Sequence, residues 1–321
     1  MTTLTGGAGN DTLTGSVGVD SLYGAAGDDF LLGYGGADRL DGGTGIDTAD
    51  FTASSSSITL SLLAGTGTLG DASGDVYVSI ENVIGGSGSD NITGDTFDNV
   101  LSGLAGNDSL FGGAGNGTLT GGAGVDSLDG GAGFDFIDYS ASGAGVAVNL
   151  LTLAVSGGDA ALDVIVAGTV EGVIGSGNND TLTGDNGANW LKGGGGSDSL
   201  YGGLGDDTLT GGIGADSMDG GTGLDTVDYT TSSAAVSVNL ASGTGSGGDA
   251  ASDVITIGTV ENIAGSAFND TLTGDGNANV LTGNALADSL TGAAGNDTLF
   301  GGSENDSLTG GAGAEDRKST R

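Results

Sequence analysis

The chain has 321 residues, 72 of them Gly, with 5 Lys and Arg against 42 Asp and Glu, a formal charge of −37 at pH 7. That balance excludes nucleic acid and an anionic membrane surface as partners. The lack of Cys excludes disulfides and thiolate metal sites, and the lack of His removes the commonest zinc ligand and general base.

No apolar run reaches the roughly 18 residues of a membrane span, so no membrane insertion is expected. Met1-Thr2-Thr3-Leu4-Thr5 has no basic region followed by an apolar stretch, so a cleaved secretory signal is not expected either. A chain this acidic is ordinarily disordered unless bound cations neutralise it. Apolar residues at a fixed period favour the cations.

The period is nine, in the form G-G-x-G-x-D-x-L-x, as in Gly202-Gly203-Leu204-Gly205-Asp206-Asp207-Thr208-Leu209-Thr210. The first array, residues 1–50, places Asp11, Asp20, Asp29, Asp38 and Asp47 at position six, with Leu13, Leu22, Leu31, Leu40 and Ala49 two residues later. Residues 51–84 break the pattern. The second array, 85–138, carries Asp90, Asn99, Asp108, Gly117, Asp126 and Asp135 at position six, and 139–174 interrupts again. The third, 175–228, carries Asp180, Asn189, Asp198, Asp207, Asp216 and Asp225. After the insert 229–264, the fourth array, 265–315, carries Asp270, Asn279, Asp288, Asp297 and Asp306. The ending 316–321, with Arg317-Lys318-Ser319-Thr320-Arg321, is foreign in composition and is expected to be disordered.

The inserts repeat as well. Ile58-Thr59-Leu60-Ser61-Leu62 matches Val146-Ala147-Val148-Asn149-Leu150 and Val236-Ser237-Val238-Asn239-Leu240, each alternating like a half-buried strand. Each then has an Asp-Val and, further on, a Glu: Asp75 to Glu81, Asp163 to Glu171, Asp253 to Glu261. The larger unit is 88 residues from Asp41 to Asp129 and 90 from Asp129 to Asp219. Ninety is ten nonapeptides, so the inserts are expected to continue one solenoid with the same winding.

Three residues of x-L-x make a short strand with the middle side chain inward. The Gly-rich six make a turn, since Gly tolerates positive φ. Two units form an 18-residue coil, and stacked coils bring position-six carboxylates within about 4.8 Å of each other. Two such charges repel by roughly 1 kcal/mol in water and several in a protein-like medium. A hard divalent cation between turns reverses the sign. Oxygen donors of this kind suit calcium better than magnesium, which gives up water reluctantly.

At the 18-residue pairing, Glu81, Glu171 and Glu261 precede Asn99, Asn189 and Asn279. The reading is that each Glu fills position six in the last insert turn and faces the Asn, giving a site with one carboxylate. Gly117 leaves its edge weak for calcium. Asp135/Asp138 and Asp225/Asp228 are read as structural rather than catalytic, because every coil uses such residues. Trp190, the only Trp, sits at outward position seven and is read as surface rather than as a sugar platform.

With more than twenty nonapeptides in register, the chain closely resembles the RTX, or haemolysin-type, calcium-binding repeat family, and its inserts look like those of large repetitive members. The resemblance implies an all-β, right-handed parallel β-roll with calcium shared between repeats i and i+2. It also implies type I export followed by folding in extracellular calcium. The expected function is a secreted, non-enzymatic calcium-binding module, with ends that could stack into a filament or surface layer. The alternative is a repeat region belonging to an exported protease, lipase, epimerase or adhesin, although no catalytic segment lies between Met1 and Arg321.

Overall fold

The computed structural model describes residues 2–313 and 316–320, the last five by their backbone alone. The chain forms two compact units: residues up to 139 together with 159–170, and 140–158 together with residues from 171 onward. Each is a parallel β-solenoid.

The strands are the x-L-x triplets, many extended into the following loop. In the first unit a ten-stranded sheet stacks Thr3–Thr5, Ser21–Ala26 and Arg39–Thr44 in parallel, Leu4 pairing with Leu22 and Leu22 with Leu40. The facing sheet stacks Thr12–Thr14, Phe30–Leu32 and Thr48–Asp50 in the same way. In the second unit Leu191 pairs with Leu209 on one face and Leu200 with Met218 on the other. Position-eight side chains are buried from Leu22 to Leu299, while most position seven and nine residues face out. Each buried Leu contributes about 1.5–3 kcal/mol relative to exposure.

In many of the loops the stacking leaves no room for a side chain at position two or four. Gly212 has φ of +92°, and a Cβ there would overlap the carbonyl oxygen of Gly194 in the coil 18 residues earlier. Positive φ also excludes most side chains.

Within each unit an insert continues the sheets, but not by further winding. In the first, Thr59–Ser61 lies parallel to Asn91–Thr93, Thr66–Leu69 returns antiparallel, and Val76–Val78 lies parallel to Arg39–Thr44. The chain therefore crosses that sheet backwards before Asn82–Ile84 joins the facing sheet between Thr48–Asp50 and Val100–Ala105. In the second unit Ser237–Asn239, Thr244–Ser246 and Val254–Ile255 do the same, and a 3-10 turn, Gly248–Ala250, lies between the last two. The physical cause is the turn after the first insert strand. A tight reversal with Gly65 at φ +66° and Gly243 at φ +64° replaces the six-residue Gly-Asp loop, so the strand folds back on itself.

The ending also departs from expectation. Asp316–Thr320 is a strand parallel to Thr298–Ser303, not a disordered tail. Ala314, Glu315 and Arg321 lie outside the described residues.

Candidate metal centre

Position six sits where each loop meets its strand, and stacking gives its carboxylate a fixed job. The Oδ1 atom accepts the backbone N–H of the position-six residue one coil earlier. Asp20 donates to Asp38 (2.7 Å), Asp29 to Asp47 (2.8 Å), Asp108 to Asp126 (2.8 Å), Asp198 to Asp216 (2.9 Å) and Asp207 to Asp225 (2.8 Å). Gly117 donates likewise to Asp135 (2.6 Å), so the missing carboxylate there leaves the ladder's backbone intact. Asn279 and Asp288 donate to Asp297 (3.1 Å) and Asp306 (3.2 Å).

The other oxygen divides the loops into two kinds. In the first two loops of every array the position-two N–H closes onto the position-six side chain. Gly7, Ser16, Gly86, Ser176 and Ser266 donate to Oδ2 of Asp11, Asp20, Asp90, Asp180 and Asp270 at 2.6–2.8 Å. Asp95, Asp185 and Asp275 donate to Oδ1 of Asn99, Asn189 and Asn279 at 2.7–2.8 Å. These loops have no residue of positive φ at position two or four.

Most later loops have positive φ at both positions: Gly194 and Gly196, Gly203 and Gly205, Gly212 and Gly214. Turning position two over removes its N–H from the carboxylate. The Oδ2 atoms of Asp29, Asp38, Asp47, Asp108, Asp126, Asp198, Asp207, Asp216, Asp225 and Asp288 are consequently buried with no hydrogen-bond partner. A buried charged oxygen without a donor is costly. Burial accordingly pushes up the carboxyls of Asp38, Asp47 and Asp216, and raises Asp126 and Asp198 to about 7 and Asp108, Asp207, Asp225 and Asp288 to about 6. Asp20, in a closed loop, is instead lowered to about 2, first by the Ser16 hydroxyl.

Glu81 and Glu261 do fill position six and stack one coil before Asn99 and Asn279 as their spacing predicts, but their carboxylates turn to the opposite neighbour. Glu81 Oε2 accepts the N–H of Asp47 (2.8 Å), and Glu261 Oε2 that of Asp225 (3.0 Å). The carboxylate pairs are therefore Asp47 with Glu81 and Asp225 with Glu261. Asn99, Asn189 and Asn279 instead donate Nδ2 to the main-chain carbonyls of Glu81 (2.8 Å), Glu171 (3.1 Å) and Glu261 (2.9 Å). An amide that bonds a carbonyl from one side and an N–H from the other satisfies itself without an ion.

Sequence reasoning missed three position-six equivalents. Asp75, Asp163 and Asp253 accept the N–H of Asp38 (2.8 Å), Asp126 (2.9 Å) and Asp216 (3.0 Å). Their second oxygen takes a buried hydroxyl: Tyr77 for Asp75 (3.4 Å), Tyr139 for Asp163 (3.0 Å) and Tyr229 for Asp253 (2.9 Å). In the first insert Phe51 stands where Tyr139 and Tyr229 stand in the others, and Tyr77 supplies the hydroxyl from the strand opposite, its ring edge-on to Phe51 at 6.4 Å. The hydroxyl keeps its place although its residue moves.

The donor set of the open loops is hard oxygen throughout, which fits calcium. No group of three or more acidic side chains converges among the described residues. Along each edge the position-six side chains come one per coil. No helix among the described residues is long and apolar enough to cross a membrane.

Parallel coils edged by regularly spaced, partnerless carboxylate oxygens define a metal-binding β-solenoid. A profile of the RTX calcium-binding nonapeptide repeat, in four copies, matches residues 2–31, 14–49, 84–119, 118–137, 174–209, 193–227, 258–290 and 282–314. These matches cover more than half of the chain, which belongs to that family. No curated protein matches it significantly.

Proposed function

We propose that this chain is a non-enzymatic structural module that folds on binding calcium along the edges of its arrays. The observation that carries the reading is the row of buried, partnerless Oδ2 atoms on Asp29, Asp38, Asp47, Asp108, Asp126, Asp198, Asp207, Asp216, Asp225 and Asp288. These residues, with Glu81 and Glu261 at the array ends, are the ones that would hold the ion. Calcium, when bound, neutralises the row and supplies the missing partner of each oxygen. The closed loops of Asp11, Asp20, Asp90, Asp180 and Asp270, and the amides of Asn99, Asn189 and Asn279, already have theirs and are assigned the weaker role of stacking the array on its neighbour.

Ligand that binds only the folded state adds its binding energy to stability. Extracellular calcium is about millimolar, matching modest affinity per site, so the reading extends to a secreted, cell-surface setting. It also extends to end-to-end self-association: a calcium-dependent rise in light scattering supports stacking, and a monomer in saturating calcium rejects it. Calorimetric titration of the calcium-free chain tests the core of the proposal. Strong calcium uptake coupled to gain of β structure is expected, and absence of both would overturn it.

A further inference from the structure

The second unit carries a groove of about 430 Å³ on the outer face of its sheet, bordered by Gly194, Gly212 and Ile213 of two open loops. Its floor is the row of outward position-nine residues Ile174, Lys192, Thr210 and Asp228, and Trp190 stands beside that row. One end is walled by the insert, through Thr230, Thr231 and Asp249, because the 3-10 turn Gly248–Ala250 packs against strand Thr208–Gly214.

The indole is held rather than free. Its Nε1–H donates to Thr210 Oγ1 (3.1 Å), and the Lys192 ammonium lies 4.0 Å from its ring centroid. Ile213, also in the groove, remains 73% exposed.

The internal repeat provides a control. Trp190 pairs with Thr208 as Val100 pairs with Thr118 and Val280 with Thr298. Lys192 likewise corresponds to Ser102 and Thr282. The coil needs neither Trp nor Lys there, so packing does not account for them. An oriented aromatic ring, an apolar side chain, hydroxyls and carboxylates in a groove of small-molecule size form a recognition surface.

We propose that this groove binds a neutral saccharide, with the Trp190 indole face opposite Lys192 as platform for the C–H face of a pyranose and Thr230, Thr231, Asp228 and Asp249 hydrogen-bonding its hydroxyls. Neutral sugars are favoured over acidic ones because Asp228 and Asp249 flank the ring in a chain of charge −37, and Lys192 is engaged on the indole.

Because Trp190 is the only Trp, its fluorescence reports this groove alone. The calcium-loaded full chain would be titrated with maltohexaose, cellohexaose, chitohexaose and a mannuronate hexamer, with calorimetry in parallel. A shift in emission with at least one neutral hexasaccharide is expected. Calorimetry should show that binding weakened about tenfold or more in Trp190→Val, a residue the internal copies carry in the same register. No response to any neutral hexasaccharide at millimolar concentration, preferential binding of the uronate, or equal heat from Trp190→Val would overturn the proposal.

Discussion

At the scale of the residue, two aspartates of identical sequence position have opposite energetics. Asp180 has both oxygens served, by the N–H groups of Val146 and Ser176, whereas Asp198 has one buried oxygen without a donor. Asp198→Asn should therefore lower the calcium stoichiometry and the Tm measured in calcium. Asp180→Asn should leave the stoichiometry unchanged in the same calorimetric titration. The pH dependence follows from the same oxygens. Asp126 and Asp198 are raised to about 7, and Asp108, Asp207, Asp225 and Asp288 to about 6, against about 4 for an unfolded carboxyl. Between about pH 4 and 7 the folded chain thus binds more protons than the unfolded one, so in chelator its stability falls as pH rises through that window. Calcium needs the ionised form, so its affinity should fall as pH drops below about 7. Melts at about pH 5 and pH 7.5, with chelator and with calcium, should show opposite slopes.

At the scale of the element, the insert after an array ends one of its two edges with a hydroxyl where the array leaves an oxygen unmatched. Tyr229→Phe strands the buried Oδ2 of Asp253 and should cost about 1–3 kcal/mol in chelator and in calcium alike. Substitutions in the open loops should depend on calcium instead. Hydrogen exchange at limiting calcium should accordingly find the most protected amides around Ile58–Leu62 and Val236–Leu240, and the least in the open loops.

Much of this was legible in the sequence. The nine-residue spacing of Leu182, Leu191, Leu200 and Leu209 alone gives the strands, their inward faces and the 18-residue register. Glu81 and Glu261 were legible as position six stacked against Asn99 and Asn279, but the partner of each carboxylate was not, because a hairpin inside the insert changes which coil lies on the other side. Asp75, Asp163 and Asp253 were visible as a repeated motif, but not as position-six equivalents, for the same reason. They stand 37 residues after Asp38, Asp126 and Asp216, a spacing no multiple of nine supplies. The closed loops did have a signal: Ser16, Ser176 and Ser266, or Asp95, Asp185 and Asp275, replace Gly at position two. Each turns its side chain onto the N–H two residues on, at 2.7–3.2 Å. That preference for a local Asx- or Ser-type turn competes with the positive φ of an open loop.

At the scale of the whole molecule, a formal charge of −37 and one buried apolar side chain per nine residues leave a chain that has little reason to be compact without counter-charge. Gly212→Val probes the stacking itself, since its Cβ would meet the Gly194 carbonyl of the coil before. It should lower the Tm in saturating calcium and be rescued by no further addition of the ion.

The most direct test of the account is a pair of far-ultraviolet circular dichroism melts of the full chain, one in millimolar calcium and one in chelator at the same ionic strength. The account predicts a β spectrum with a cooperative transition in calcium, and in chelator a weakened spectrum melting well below it. An identical β spectrum and an identical Tm in the two buffers would contradict it.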